Sequence, residues 1–238
     1  MLELNISKEW ADAVYRRSAV RQYTGAPDEA QLARLGQLAR KLSWQGVTIR
    51  LFQGPGLRSS IRGTDVYAVI VAKQGTPMEN EGYMGEALVL EATAMGLGTC
   101  WLAKGFYADV ISQNVKLAND EAIHCVIAIG KCSLPTFAPK RSPIEKICGM
   151  TEAQLDAVGA WQAAAVKAAR VAPSAMNLQQ WRLKVTGADI TFSDEALFFK
   201  KYTALDRGIC MLHAAVGAAS LGRSPRWKKV DNQYVLTA

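Results

Sequence analysis

The chain has 238 residues, half of them apolar and 21% charged, a composition that suits a globular protein with a sizeable core and excludes disordered, collagenous and coiled-coil chains. Its 28 basic and 21 acidic residues give a net charge of +7 that is spread rather than blocked, which suits an anionic ligand or simply solubility, and nucleic acid is not expected; Arg226-Trp227-Lys228-Lys229 reads as a solvated face. The longest apolar runs, 66–72 and 123–129, fall well short of the roughly 20 residues that a membrane span needs, and the N-terminus lacks the apolar stretch of a signal peptide, so a cytoplasmic protein with no membrane partner is expected.

Taken in chain order, a short N-terminal helix leads into Arg16-Arg17-Ser18-Ala19-Val20-Arg21-Gln22-Tyr23, where clustered guanidinium forks suit a phosphate. Glu29-Ala30-Gln31-Leu32 opens a helix, and Arg50-Leu51-Phe52-Gln53 reads as a short strand closed by Gly54-Pro55-Gly56. Residues 65–72 and 122–130 are β-branched and apolar throughout, as strands covered on both faces should be. Between them, residues 82–98 form a helix rich in small residues and ending at glycine, with Gly96-Leu97-Gly98-Thr99-Cys100-Trp101 turning from helix into strand. This Gly-x-Gly follows a helix and lacks a third glycine, so it is no dinucleotide fingerprint; its glycine could let a backbone amide approach a ligand. Prolines from 135 to 143 punctuate a loop that carries a second basic cluster, Pro139-Lys140-Arg141-Ser142-Pro143.

Glu152-Ala153-Gln154-Leu155 repeats the four residues at 29–32, 123 positions later, and residues 206–222 match 82–98 in length and character at an offset of 124. Arg182-Leu183-Lys184-Val185 follows in the place of Arg50–Gln53. Two related α+β halves, 1–149 and 150–238, are therefore expected to pack as a pseudo-dimer. In the second half an Ala-rich helix breaks into Ala172-Pro173-Ser174-Ala175-Met176-Asn177-Leu178-Gln179-Gln180-Trp181. Pro173 disfavours helix at Ala172, so Ser174, Asn177 and Gln179 project from irregular backbone and suit the polar edge of a flat heterocycle.

Five cysteines, an odd number with no C-x-x-C pair, predict neither a metal site nor a disulfide framework, and none is assigned a catalytic role. Cys125 and Cys210 read as buried small hydrophobes. His124 and His213 read as core packing, and Trp101 and Trp181 as either core or the border of a ligand ring.

The four site stretches together resemble the nitroreductase family of flavoproteins, with its Arg-Arg-Ser-x-Arg-x-Phe motif, Ala-Pro-Ser-x-x-Asn-x-Gln-Pro-Trp loop, Gly-Leu-Gly-Thr-Cys-Trp turn and late Lys/Arg pair. The order differs: the family places the Ala-Pro-Ser loop soon after the Arg motif, whereas here it stands in the second half, and residues 39–46 in the first half lack it. The resemblance implies an α+β fold with a central, mostly antiparallel sheet and flanking helices. It also implies a monomer whose two halves imitate the usual dimer with one complete site. By that resemblance Arg17 and Arg21 would hold the phosphate or pyrimidine edge of FMN, with Ser18 beside them. Lys140 and Arg141 would contact the phosphate, Ser174 and Asn177 would come from the second half, and Gly98 and Thr99 would lie against the ring. Gln180 replaces the usual proline. The implied activity is hydride transfer from NAD(P)H through FMN to a nitroaromatic, quinone or similar acceptor, with no side chain acting as acid or base. The alternative is a flavin-binding or redox-sensing protein without turnover.

Overall fold

A computed structural model describes residues 4–58, 60–133, 139–194 and 200–238, so the first part of the loop between Pro135 and Pro143 lies outside the described residues. The chain divides into two units, one of residues 16–138 and one of 139–238 together with the described part of 1–15. The division falls at 138/139, ahead of the expected 149/150, because the second basic cluster hydrogen-bonds into the later unit.

In the unit of residues 16–138, α2 (Glu29–Leu42) opens on a capping box: the Asp28 carboxylate accepts from the Gln31 N–H, and the Gln31 side chain accepts from the Asp28 N–H, both at 2.9 Å. β1 (Val47–Gln53), β2 (Val66–Lys73), β3 (Leu97–Leu102) and β4 (Glu121–Lys131) form a fully antiparallel sheet in the order β1-β2-β4-β3. The uniformly apolar run of β2 is buried on both faces, as its composition predicts. Tyr67, Val69 and Val71 point to a core shared with Phe52, Leu57, Ile61 and Ile111 of α4 (Ala108–Asn114). The helix α3 (Met78–Ala94) is buried almost throughout its length, consistent with a sequence that has no polar stripe. It ends before the expected glycine terminus: Gly96 takes φ 79° to turn the chain, and Leu97 already begins β3.

The second unit holds α1 (Trp10–Arg16) up to Tyr15, followed by α5 (Ile144–Cys148), α6 (Glu152–Val158), α7 (Ala160–Arg170) and α8 (Lys200–Ala219). β5 (Trp181–Val185), β6 (Ile190–Asp194), β7 (Arg226–Val230) and β8 (Gln233–Thr237) form a second antiparallel sheet in the order β5-β6-β8-β7. This repeats the order of the first sheet, and α8 lies between β6 and β7 in sequence as α3 lies between β2 and β3. The second Glu-Ala-Gln-Leu copy opens α6 with another capping box, between Thr151 and Gln154. α7 packs closely on α8: a methyl group at Gly217 would fall 2.4 Å from the Ala164 carbonyl oxygen, so only glycine allows this approach. The polar tail expected after Pro225 is the hairpin of β7 and β8, with Asp231 and Asn232 at positive φ in its turn.

Cys125 and Cys210 are fully buried, as their surroundings predict, and burial pushes both thiols well above the ordinary range. His213 is also buried and donates from Nδ1 to the Ala168 carbonyl at 3.2 Å. His124 corrects the sequence reading. The β2–β4 register shifts between Ile70 and Val71, so His124 is the extra residue between Cys125 and Ile123. Such a bulge re-aims a side chain: the half-exposed His124 ring meets the buried Glu81 carboxylate at 2.8 Å.

Candidate functional site

The sequence-predicted site residues fall into two clusters, one on each unit. In the unit of residues 16–138 the Arg motif is an extended segment on the open edge of β3. Ala19 pairs with Thr99 in parallel, the Val20 N–H donates to the Thr99 carbonyl at 2.9 Å, and the Tyr23 hydroxyl donates to the Ala128 carbonyl at 3.3 Å. Arg17, Ser18, Val20 and Tyr23 are buried, whereas Ala19 and Arg21 are exposed. The Arg17 guanidinium lies 4.0 Å from Glu86 of α3. Glu86 also accepts from the Trp101 indole at 2.7 Å, so Trp101 is held by α3. Burial lowers the Arg17 pKa from its ordinary value, with Glu86 opposing the shift, and the buried Nε of Arg17 has no hydrogen-bond partner among the described residues.

Gly98 and Thr99 lie beneath this segment. A methyl group at Gly98 would sit 2.9 Å from Val20 Cγ2 and from Cys132 Sγ, so the glycine lets the Arg motif close onto the sheet; Thr99 is 1% exposed. Cys100 reports the local potential: burial raises its pKa, while Arg21, Arg17 and Arg58 pull it back. Arg58 is a cation of this edge that the sequence reading missed, because nothing in its own stretch marks it; its guanidinium is held by the Lys104 carbonyl.

The second cluster joins two motifs about thirty residues apart. The Arg141 guanidinium donates to the Ala172 carbonyl at 2.8 Å and to Asn177 Oδ1 at 3.0 Å, and Asn177 Nδ2 donates to the Lys140 carbonyl at 2.9 Å. Gln179 is the hub. Its Oε1 accepts from the Ser142 N–H at 2.8 Å, and its Nε2 donates to the Lys140 and Asn177 carbonyls and to Asn177 Oδ1 at 3.1–3.3 Å. Ser174 Oγ accepts from the Gln179 N–H at 2.9 Å, and Arg170 donates to the Ser142 carbonyl at 2.8 Å. These bonds hold three non-glycine residues, Met176, Asn177 and Gln179, at φ between 50° and 57°, a conformation that must be paid for by its surroundings.

The replacement of the usual proline by Gln180 now has a physical reason. A residue before proline is pushed toward extended backbone, a preference that the left-handed Gln179 does not meet. Trp181 is 2% exposed and belongs to the core. Asp206 of α8 accepts from the Ala175 N–H through both oxygens at 3.0 Å, and burial raises its pKa to about 7. Sequence reasoning marked residue 206 only as the start of the second repeated helix.

The donor set fits the phosphate of a flavin nucleotide on each unit considered by itself. Arg21 and Lys140 are exposed cations, Arg141 is partly exposed, and Arg17 offers a buried donor without an acceptor. Ser174 and Asn177 turn much of their hydrogen-bonding capacity inward, while Asn177 remains exposed on a fixed backbone.

Two four-stranded antiparallel sheets of one strand order, each with a helix between its second strand and the next, define a nitroreductase-like α+β fold. The "putative TM nitroreductase" family matches residues 9–218, and the chain belongs to that family. Membership places the protein in the oxidoreductase class. A "putative nitroreductase" from Thermotoga maritima is similar over 96% of this chain and 93% of its own, with 24% identity and a TM-score of 0.67. A nitroreductase with bound FMN from Desulfitobacterium hafniense matches 57% of this chain and 96% of its own, with 14% identity and a TM-score of 0.44. A "putative NADH dehydrogenase/NAD(P)H nitroreductase" from Bacteroides thetaiotaomicron matches 60% and 97%, with 14% identity and a TM-score of 0.48. No curated protein matches the chain. Among the described residues, no helix is long and apolar enough to cross a membrane.

Proposed function

We propose that the protein is an FMN-dependent NAD(P)H oxidoreductase that reduces a nitroaromatic, quinone or similar small acceptor. The observation that carries this reading is the Arg141–Asn177–Gln179 network, which fixes the Ala-Pro-Ser-x-x-Asn loop and the late basic pair as one rigid piece. Preorganised donors of this kind bind a polar ligand without ordering cost at the moment of binding. FMN, when bound, supplies the hydride chemistry.

This chain's residues would bind and orient it. On the unit of residues 16–138, Arg21 presents an exposed cation. Arg17 and Ser18 stand behind it, and Gly98 and Thr99 support the segment that carries all three. On the other unit, Lys140 and Arg141 supply cations, and Ser174 and Asn177 supply neutral polar groups. In this reading the chain is a cytoplasmic monomer that binds one FMN and imitates the family dimer.

The test is a visible spectrum of the protein after incubation with FMN and desalting, followed by anaerobic NADPH and then NADH. Retained flavin that bleaches with either nucleotide supports the oxidoreductase. Retained flavin that does not bleach supports a second reading, a flavin binder without turnover, which the burial of Arg17 against Glu86 favours. No retained flavin overturns both. Arg21→Ala and Lys140→Ala remove exposed cations that carry no side-chain hydrogen bond of the two clusters. Each is expected to weaken FMN binding by roughly tenfold or more, the usual worth of a charge-assisted contact.

A further inference from the structure

We propose that Asp206 is a positioning residue for the candidate flavin loop: its carboxylate latches the loop at the Ala175 N–H, and flavin affinity depends on the latch being closed. The proposal rests on the flavin reading above for its second half only. Both carboxylate oxygens lie 3.0 Å from the Ala175 nitrogen, at the entrance to the segment where Met176, Asn177 and Gln179 take left-handed backbone. Beyond the two bonds by which Val171 and Ala172 continue α7, the other described bonds of the loop run to residues 140–142 or stay within it; this one ties it to α8. Asp206 is 8% exposed and lines a small cleft with Gln180, Trp181, Phe192, Thr203 and Arg207.

A latch made by a buried carboxylate depends on its charge. Burial raises the Asp206 pKa to about 7, and the Ala175 N–H opposes that shift. The charged and titratable groups around it are Arg207, next to it on α8, and Cys210, one turn further on, whose thiol is raised by burial and by Asp206. The cations of the loop's other supports, Arg170 of α7 and Arg141, are each hydrogen-bonded to a backbone carbonyl, and β5 and β6 contribute to the cleft the non-titrating Trp181 and Phe192. Opening the loop leaves Asp206 in its cleft and removes the Ala175 N–H that lowers its pKa, so the open loop binds the proton more tightly than the closed one; as pH falls through about 7 the Ala175 N–H loses its anionic acceptor and the strained loop is released.

The experiment is hydrogen exchange by mass spectrometry on the flavin-free full-length protein from about pH 6 to about pH 8, corrected for intrinsic rates, alongside FMN titration by fluorescence. In the wild type, protection of 172–180 is expected to rise with a midpoint near 7, and FMN to bind roughly tenfold more tightly at the upper end. Asp206→Asn is expected to leave both readouts flat at the low-pH level. It is also expected to be no less stable than wild type above pH 7, because it removes a buried charge. Protection that does not change with pH in the wild type overturns the latch. So does an Asn variant that keeps full protection, or one that loses global stability at high pH. Should the wild-type protein bind no FMN while its loop protection follows pH, the latch stands and the flavin reading falls.

Discussion

The same step of the fold is built in opposite ways in the two units. In the unit of residues 16–138, α2 passes to β1 through four residues, 43–46, with Ser43 bridging the Ala39 carbonyl and the Ile49 N–H. In the unit containing 139–238, α7 passes to β5 through ten residues, 171–180, which hold three strained non-glycine residues in a net of side-chain bonds. The sheets that follow have identical strand order. The difference shows that a shared scaffold leaves this connection free: a short turn suffices for folding, and the longer one is maintained by bonds that serve the loop's conformation rather than the core.

Breaking this comparison begins with a buried cation. Arg17→Ala removes the cation 4.0 Å from the buried Glu86 and is expected to cost about 3 kcal/mol of stability, measured by urea denaturation; a loss below about 1 kcal/mol would mean that the remaining partners of Glu86, the Trp101 indole among them, satisfy it. Gln179→Ala removes four hydrogen bonds from the long loop, with an expected cost of about 2 kcal/mol and loss of exchange protection confined to 139–142 and 172–180. The two capping boxes offer a matched pair. Asp28→Ala and Thr151→Ala should each cost about 1 kcal/mol, and unequal losses would show that the repeated helices differ in their contribution to stability. Lys167→Ala removes exposed ion pairs to Asp156 and Glu152 and should change stability by less than about 0.5 kcal/mol at physiological salt, checked by thermal melting.

Asp206 adds a pH dependence to the unit that bears the long loop. Its folded pKa of about 7 lies above that of an unfolded aspartate, so the folded state holds an extra proton between the ordinary carboxylate range and neutrality. Stability contributed by this group therefore falls as pH rises through that window and levels off above about 7. The Asn variant should abolish this slope, as followed by melting temperature against pH.

Much of this protein was legible before its fold was known. Glu-Ala-Gln-Leu marks two helix starts because glutamine at the third helical position completes a capping box with the residue before it, a local geometry that needs no tertiary partner. The runs 65–72 and 122–130 read as strands from their apolar, β-branched composition, within a residue of the observed Val66–Lys73 and Glu121–Lys131, and the stretches 16–23, 139–146 and 169–181 stand out by their charge and polarity. His124 was misread because a bulge, which depends on pairing with β2, decides which face it takes.

What the sequence determined by itself is local: element type, caps, the repeat, and the residue types able to hold an anion. What only the tertiary structure decided is which of those groups face solvent and which are consumed by the fold. Arg17 and Arg21 look alike in sequence, yet pairing of the Arg motif with β3 buries one against Glu86 and leaves the other exposed. Asn177 and Gln179 are committed to Lys140, Arg141 and Ser142 across more than thirty residues. Asp206 meets Ala175 across as great a separation. Desolvation and long-range hydrogen bonds depend on neighbours brought together by folding, and no local pattern carries them.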